Sequence, residues 1–259
     1  MKKYRLFIIF IIFAVLIGLN ACSEDAFKEA FTPAAYKIQK TPSHVRNQKM
    51  IERIEANIVK YRKQMARGKD KSFQLSKAYI SLGEKYIDVG DFPSAIKNLE
   101  LAEEFGYQAP HLYYLLGATN ANLARIKESS DNSNDIQNAK VHYQKAEYFY
   151  RKTVELKSNY YDAWYGLAVL LFYATNTDLS RAEAIIILQK LAQQNPRYYR
   201  GRFALAMFYY QTENSAASLA EYEKLLKDLS ELKSNPMIAE YKERCRENIA
   251  VLLTEISRK

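Results

Sequence analysis

The stretch S76-K-A-Y-I-S-L-G-E-K-Y-I-D-V-G-D-F-P-S-A-I-K-N-L-E-L-A-E-E-F-G-Y107 decides how this chain folds. Tyr79, Leu82, Gly83 and Tyr86 recur three or four residues apart, which places them on one face of a helix. Gly90 and Asp91 interrupt the pattern, and Ala95, Leu99 and Ala102 resume it on a second helix. Asp91 is of a type that caps a helix N-terminus, and Pro93 lies near the first helical position, where its missing N–H costs nothing. Gly83 and Ala95 are small where two helices must cross closely.

These residues resemble a tetratricopeptide repeat, whose 34-residue unit carries an aromatic at position 4, Leu at 7, Gly at 8, Tyr at 11 and Ala at 20 and 27. Counting 34 residues on from Ser76 reaches Pro110, where H-L-Y-Y-L-L-G again sets Tyr113, Leu116 and Gly117 at 4, 7 and 8. A third unit starts near Tyr161, with Trp164, Leu167 and Ala168 in register. The fourth starts near Tyr199, with Leu205, Ala206 and Tyr209 in register but Arg202 where the aromatic should be, and Pro196 closes the unit before it. The starts are 34, 51 and 38 residues apart, so the second unit carries about 17 extra residues and the third about four. The surplus surrounds K-E-S-S-D-N-S-N-D (127–135), which predicts two lengthened helices joined by a polar turn.

The resemblance implies an all-α fold, a TPR-type α-solenoid of about four helix-turn-helix repeats near 76–109, 110–160, 161–198 and 199–235. An all-helical bundle would share the periods, but it would not explain the recurring Leu-Gly and Leu-Ala pairs. Working outward, Met50, Ile51, Ile54, Ile58, Tyr61 and Met65 predict a helix ahead of the repeats, ended near Gly68. Ile238, Tyr241, Cys245, Leu252 and Ile256 form the stripe of a capping helix over 237–257, because each repeat buries its face only against neighbours. The helical domain spans 47–259.

The N-terminus carries a different signal. Met1-Lys2-Lys3-Tyr4-Arg5 is basic, and Leu6 to Leu19 is free of charge, which is the layout of a secretory signal peptide. The run is shorter than the roughly 20 residues that a spanning helix needs. Leu19-Asn20-Ala21-Cys22 resembles the lipobox of bacterial lipoproteins. It implies a signal peptide over 1–21, palmitate or similar acyl chains on Cys22, and a tether over 22–46 that contains Pro33 and Pro42. The location so implied is the bacterial cell envelope, lipid-anchored. Ser23 resembles the outer-membrane-directed form of the motif.

Composition narrows the chemistry. Removal of 1–21 takes away Lys2, Lys3 and Arg5 and no acid, which lowers the net charge from +9 to +6. Outside the cytoplasm nucleic acid is not an expected partner, and Lys and Arg mixed among Glu and Asp read as solvated helix faces. With Cys22 acylated, Cys245 has no disulfide partner and reads as a small buried hydrophobe. His44, His111 and His142 stand at no metal-ligand spacing. No phosphate-binding glycine loop or nucleophile elbow is present. No enzyme, metal or cofactor is expected.

In the repeat family, ligands meet the first helix of each unit at positions 2, 5, 9 and 12 or 13. Carried over, these positions include Lys77, Ile80, Glu84 and Asp88, then His111, Tyr114, Ala118 and Asn122. The second half of the chain contributes Asp162, Tyr165, Val169, Phe172 and Tyr173, then Arg200, Phe203, Met207, Tyr210 and Gln211. Tyr114, Asn122, Tyr165, Val169, Phe172, Tyr173, Arg200, Phe203, Met207 and Tyr210 form the expected peptide groove, apolar and aromatic in composition. The Lys, Arg and Asn of a carboxylate clamp are missing at positions 5 and 9. The expected function is a membrane-tethered adaptor that binds a protein partner in envelope assembly, secretion or pilus-type machinery. Two alternatives are an accessory lipoprotein of a solute transporter that takes a small hydrophobic ligand, and a surface adhesin. The same aromatics could instead be filled by the chain's own tether or C-terminal helix, or pack between repeats.

Overall fold

A computed structural model describes residues 43–257, with side chains from Arg46. The signal peptide, Cys22 and most of the expected tether lie outside the described residues. Among the described residues ten α-helices follow one another: α1 Ser43–Met65, α2 Ser72–Val89, α3 Phe92–Glu104, α4 Pro110–Glu128, α5 Ser133–Leu156, α6 Tyr161–Leu170, α7 Asp178–Gln194, α8 Tyr199–Gln211, α9 Ser215–Ser230 and α10 Pro236–Ile256. There is no strand among the described residues. The fold is all-α, a TPR-type α-solenoid. The chain divides into two compact units, residues 1–157 and 158–259.

In the first unit, α1 begins at Ser43, ahead of the boundary read from the sequence, because residues 43–46 contain no helix breaker. Ile51 and Ile58 are buried, with Ile54, Tyr61 and Met65 partly buried in the same core. Helices α2 and α3 form the hairpin that the opening stretch encodes. Gly90 takes a left-handed φ of 81° at its turn, a conformation that costs a residue with a Cβ about 1 kcal/mol or more. Asp91 then accepts a hydrogen bond from the Ser94 N–H. A Cβ on Gly83 would stand 2.8 Å from the Leu99 side chain, so the missing side chain is what lets the two helices approach.

The same contact recurs in the longer hairpin. A Cβ on Gly117 would lie 2.9 Å from the Tyr150 ring, and Tyr150 is fully buried. Tyr150 therefore occupies the place of Leu99, displaced by the 17 extra residues, and Ala146 and Thr153 match Ala95 and Ala102, all four fully buried. The surplus has gone into helix length: α4 and α5 run for 19 and 24 residues against 18 and 13 in the hairpin before them. Their connection is held by the Asn132 side chain, which accepts from the Asn134 N–H, and by a Lys127–Asp135 ion pair at 2.9 Å.

In the second unit, Ala184, Leu188 and Leu191 of α7 and Ser218, Tyr222 and Leu225 of α9 fill the corresponding register positions, all of them buried. The four surplus residues of the third repeat are absorbed in two ways. One enters the π-type turn Leu171–Thr175 that continues α6, and the others lengthen the start of α7, whose N-terminus carries a Thr177–Ser180 capping box. Glu213 sits at the turn position that Gly90 fills in the first repeat, also with positive φ.

Helix α10 packs on α9 through Ile238, Tyr241, Cys245 and Leu252, all buried. Ile256, expected on that stripe, is exposed in the last turn of the helix. Burial pushes the Cys245 thiol up to about 12 from an ordinary 9.0. The native protein at pH 8 is therefore expected to resist alkylation at Cys245 and to react once unfolded, as mass spectrometry of iodoacetamide-treated samples would read. The unfolded thiol ionises first as pH rises, so its contribution to stability is present below about pH 9 and is lost towards pH 12. A Cys245→Ala chain should lack that part of the alkaline decline.

Candidate functional site

The first helix of each hairpin carries the residues that the repeat pattern assigns to a ligand-facing surface. In the first unit, His111 Nε2 lies 2.9 Å from a Glu84 carboxylate oxygen, a pairing of α4 with α2 across adjacent repeats. Both side chains are well exposed, so the pair contributes at most about 1 kcal/mol. One turn further along, Tyr114 is half-buried and its ring meets that of Tyr150 at a centroid distance of 6.3 Å. Asn122 is buried, and its side-chain amide donates to the Ala118 carbonyl of its own helix at 2.9 Å. His142, on the lengthened hairpin, shares a 2.8 Å hydrogen bond with Asn120, and burial lowers its basicity.

In the second unit the aromatic positions separate into two groups. Tyr165, Val169, Phe172, Phe203 and Met207 are buried within the second unit. The Phe172 ring stacks on Phe208 at 3.8 Å and nearly parallel, while Phe203 is enclosed by Tyr222 at 5.3 Å and Tyr241 at 5.6 Å. Arg244 of α10 adds its guanidinium over the Phe203 ring at 4.4 Å, so the capping helix covers this position. With Asn122, six of the ten groove positions thus face inward, and they shape the surface from beneath.

Four positions remain partly exposed: Tyr114 in the first unit and Tyr173, Arg200 and Tyr210 in the second. Arg200 lies over the Tyr165 ring at 4.4 Å, which seats the guanidinium on an aromatic floor. The Tyr173 hydroxyl accepts from the Gln211 amide at 3.1 Å, and the Tyr210 hydroxyl donates to Glu255 of α10 at 2.8 Å. Burial, and then that carboxylate, push the Tyr210 phenol up to about 12, so it stays a hydrogen-bond donor throughout the neutral range. Within the second unit Tyr173, Arg200 and Tyr210 present aromatic edges, a cation and hydrogen-bonding groups, suited to a polypeptide backbone with apolar side chains.

Tyr198 belongs to this neighbourhood although the repeat positions do not mark it. It precedes α8, its ring meets Tyr165 at 6.0 Å, and its hydroxyl donates to Asp162 at 2.6 Å. Burial and Asp162 raise its phenol well above the usual tyrosine range. A Cβ on Gly201 would stand 2.8 Å from that ring, so the glycine makes the room for it. The only sequence signal is the pair Tyr198-Tyr199 after Pro196, which counts as a loop by repeat register.

A separate small pocket of the second unit lies between α6 and α7, lined by Trp164, Ile187, Lys190, Leu191 and Gln194. It includes none of the ten groove positions. No group of three or more His, Cys, Asp and Glu that could hold a metal ion occurs among the described residues. No helix among them is long and apolar enough to cross a membrane.

No protein-family model and no characterised protein sequence matches this chain. Solved structures do resemble it. The MamA protein aligns at a TM-score of 0.53 and 19% identity, over 73% of this chain and 92% of its own. TTC0263, a thermophilic TPR protein of Thermus thermophilus, aligns at 0.52 and 15%, over 78% and 94%. YrrB, described as a TPR protein with an unusual peptide-binding site, aligns at 0.51 and 18%, over 76% and 86%. At these identities the likeness establishes the tetratricopeptide-repeat fold.

Proposed function

We propose that this chain, built on the tetratricopeptide-repeat fold, is a non-enzymatic adaptor that binds a protein partner on the ligand-facing side of its repeats. We further read it as a lipoprotein of the bacterial envelope, acylated at Cys22 and held at the outer membrane. The observation that carries the adaptor reading is the partly exposed set Tyr173, Arg200, Tyr210 and Gln211, with Arg200 over the buried Tyr165 ring and Tyr173 edge-on to the buried Phe172 ring. A rigid floor with adaptable polar groups above it suits recognition of an extended or helical peptide. The similar fold of YrrB, whose description names a peptide-binding site, supports the same reading. The tether rests on the lipobox-like Leu19-Asn20-Ala21-Cys22.

Arg200→Glu combined with Tyr210→Ala alters this surface at two positions that are not fully buried. Affinity capture from solubilised envelopes is expected to lose the specific partner with that variant, while its thermal unfolding remains that of a folded domain. Retention of every partner at full yield would contradict the assignment. Cys22→Ser is expected to abolish palmitate labelling.

A further inference from the structure

Helix α1 divides its charges unevenly. At 100° per residue, Arg46, Lys49, Arg53, Lys60 and Lys63 fall within an arc of about 100°. This arc lies roughly opposite Ile51, Ile54, Ile58, Tyr61 and Met65, the side that joins the core with α2. All five cations are exposed, and among the described residues none is held in an ion pair. Three other lysines of this unit are paired, Lys127 with Asp135, Lys145 with Glu100 and Lys152 with Glu103. The acids of α1 are only Glu52 and Glu55, and Glu55 accepts from the Tyr86 hydroxyl on the side facing α2. Ala56, small and exposed, lies within the cationic arc.

We propose that this face of α1 lies on an anionic membrane surface, with its lysines and arginines among the headgroup phosphates. Charge complementarity selects the occupant. The cations extend along about 26 Å of a straight rod, a spacing that meets a plane of negative charge all at once. Most of the apolar side of α1 is already used against α2, with only Met50 and Val59 left exposed, so the helix binds chiefly by charge. Such attraction acts within a Debye length, about 8–10 Å at moderate salt. Twenty residues separate Cys22 from Ser43, a length of chain that cannot exceed about 70 Å, so α1 stays close to a bilayer that holds Cys22. The inference rests on the membrane-tethered reading for the source of the surface, and it does not require acylation of Cys22.

The test uses the full chain purified from membranes, with a spin label on Ala56→Cys and the unsubstituted chain labelled in parallel to subtract any signal from Cys22. It is mixed with vesicles of phosphatidylcholine alone or of phosphatidylcholine containing phosphatidylglycerol. Flotation with the vesicles reports the anchor, and collision of the label with an aqueous paramagnetic reagent reports α1. The expected result is a loss of collision on the phosphatidylglycerol vesicles only, reversed by high salt and by the combined change Lys49→Gln, Arg53→Gln, Lys60→Gln and Lys63→Gln. Equal collision on both vesicle types, or a loss that persists in the four-fold variant, would overturn the inference. Flotation with both vesicle types but no difference at Ala56 sinks this inference and leaves the tether standing. Flotation with the anionic vesicles alone supports α1 and counts against the tether.

Discussion

Arg202→Ala is expected to lower the free energy of unfolding by about 3–5 kcal/mol, the range seen when one partner of a buried ion pair is deleted. Arg202 stands where the other repeats place an aromatic, and it is only 2% exposed. Its guanidinium donates to Glu221 at 2.9 Å, and also to Asp228 and the Pro196 carbonyl. The charge is therefore enclosed and matched from α9, and both carboxylates favour the ionised form of the arginine. Alanine removes the match, strands a mostly buried Glu221 and leaves a void in a core that relaxes only in part. Asp228→Ala should cost about 1 kcal/mol or less, because Asp228 is 40% exposed and its charge is largely screened. Urea unfolding of the two variants decides the matter: similar small losses would mean that the arginine is solvated and the ion pair incidental.

Gly117→Ala is the second large expected effect, and its sign is the informative part. Within a helix, alanine is favoured over glycine by about 1 kcal/mol. Here the added methyl would meet the Tyr150 ring at 2.9 Å, and that ring is fully buried and cannot swing aside. Overpacking of this kind costs about 1–3 kcal/mol, so the clash outweighs the propensity and the variant is less stable. In a Tyr150→Ala background the same change should become stabilising. A Gly117→Ala chain as stable as the parent would mean that α4 and α5 do not cross where the displaced register puts them.

The fold was legible because its information is local and repeated. Gly83 against Leu99 and the Gly90-Asp91 turn are written in one hairpin, and the register carries them to Gly117 and Tyr150 even across the insertion. The surface was harder to read. Repeat register says which way a backbone position points, but not how deeply neighbours enclose it. Tyr165, Phe172 and Phe203 lie on the ligand-facing side by count and are nonetheless covered by Tyr198, Phe208 and the α10 residues Tyr241 and Arg244. Those covering contacts join residues far apart in the chain, up to 41 positions in the case of Arg244 and Phe203, a separation that no helical period reveals. In α1 the helical period alone gathers five cations on one arc, and the packing against α2 adds that the opposite side is occupied.

Site-specific photocrosslinking in living cells tests the adaptor reading most directly. A photoreactive residue at Tyr210, on the ligand-facing helix α8, is compared with one at Leu179, which is 82% exposed at the start of α7. The account predicts a discrete adduct with one protein from position 210, identified by mass spectrometry, and none of it from position 179. Adducts of equal yield and identity from both positions, or none from 210 while 179 captures a partner, would contradict it.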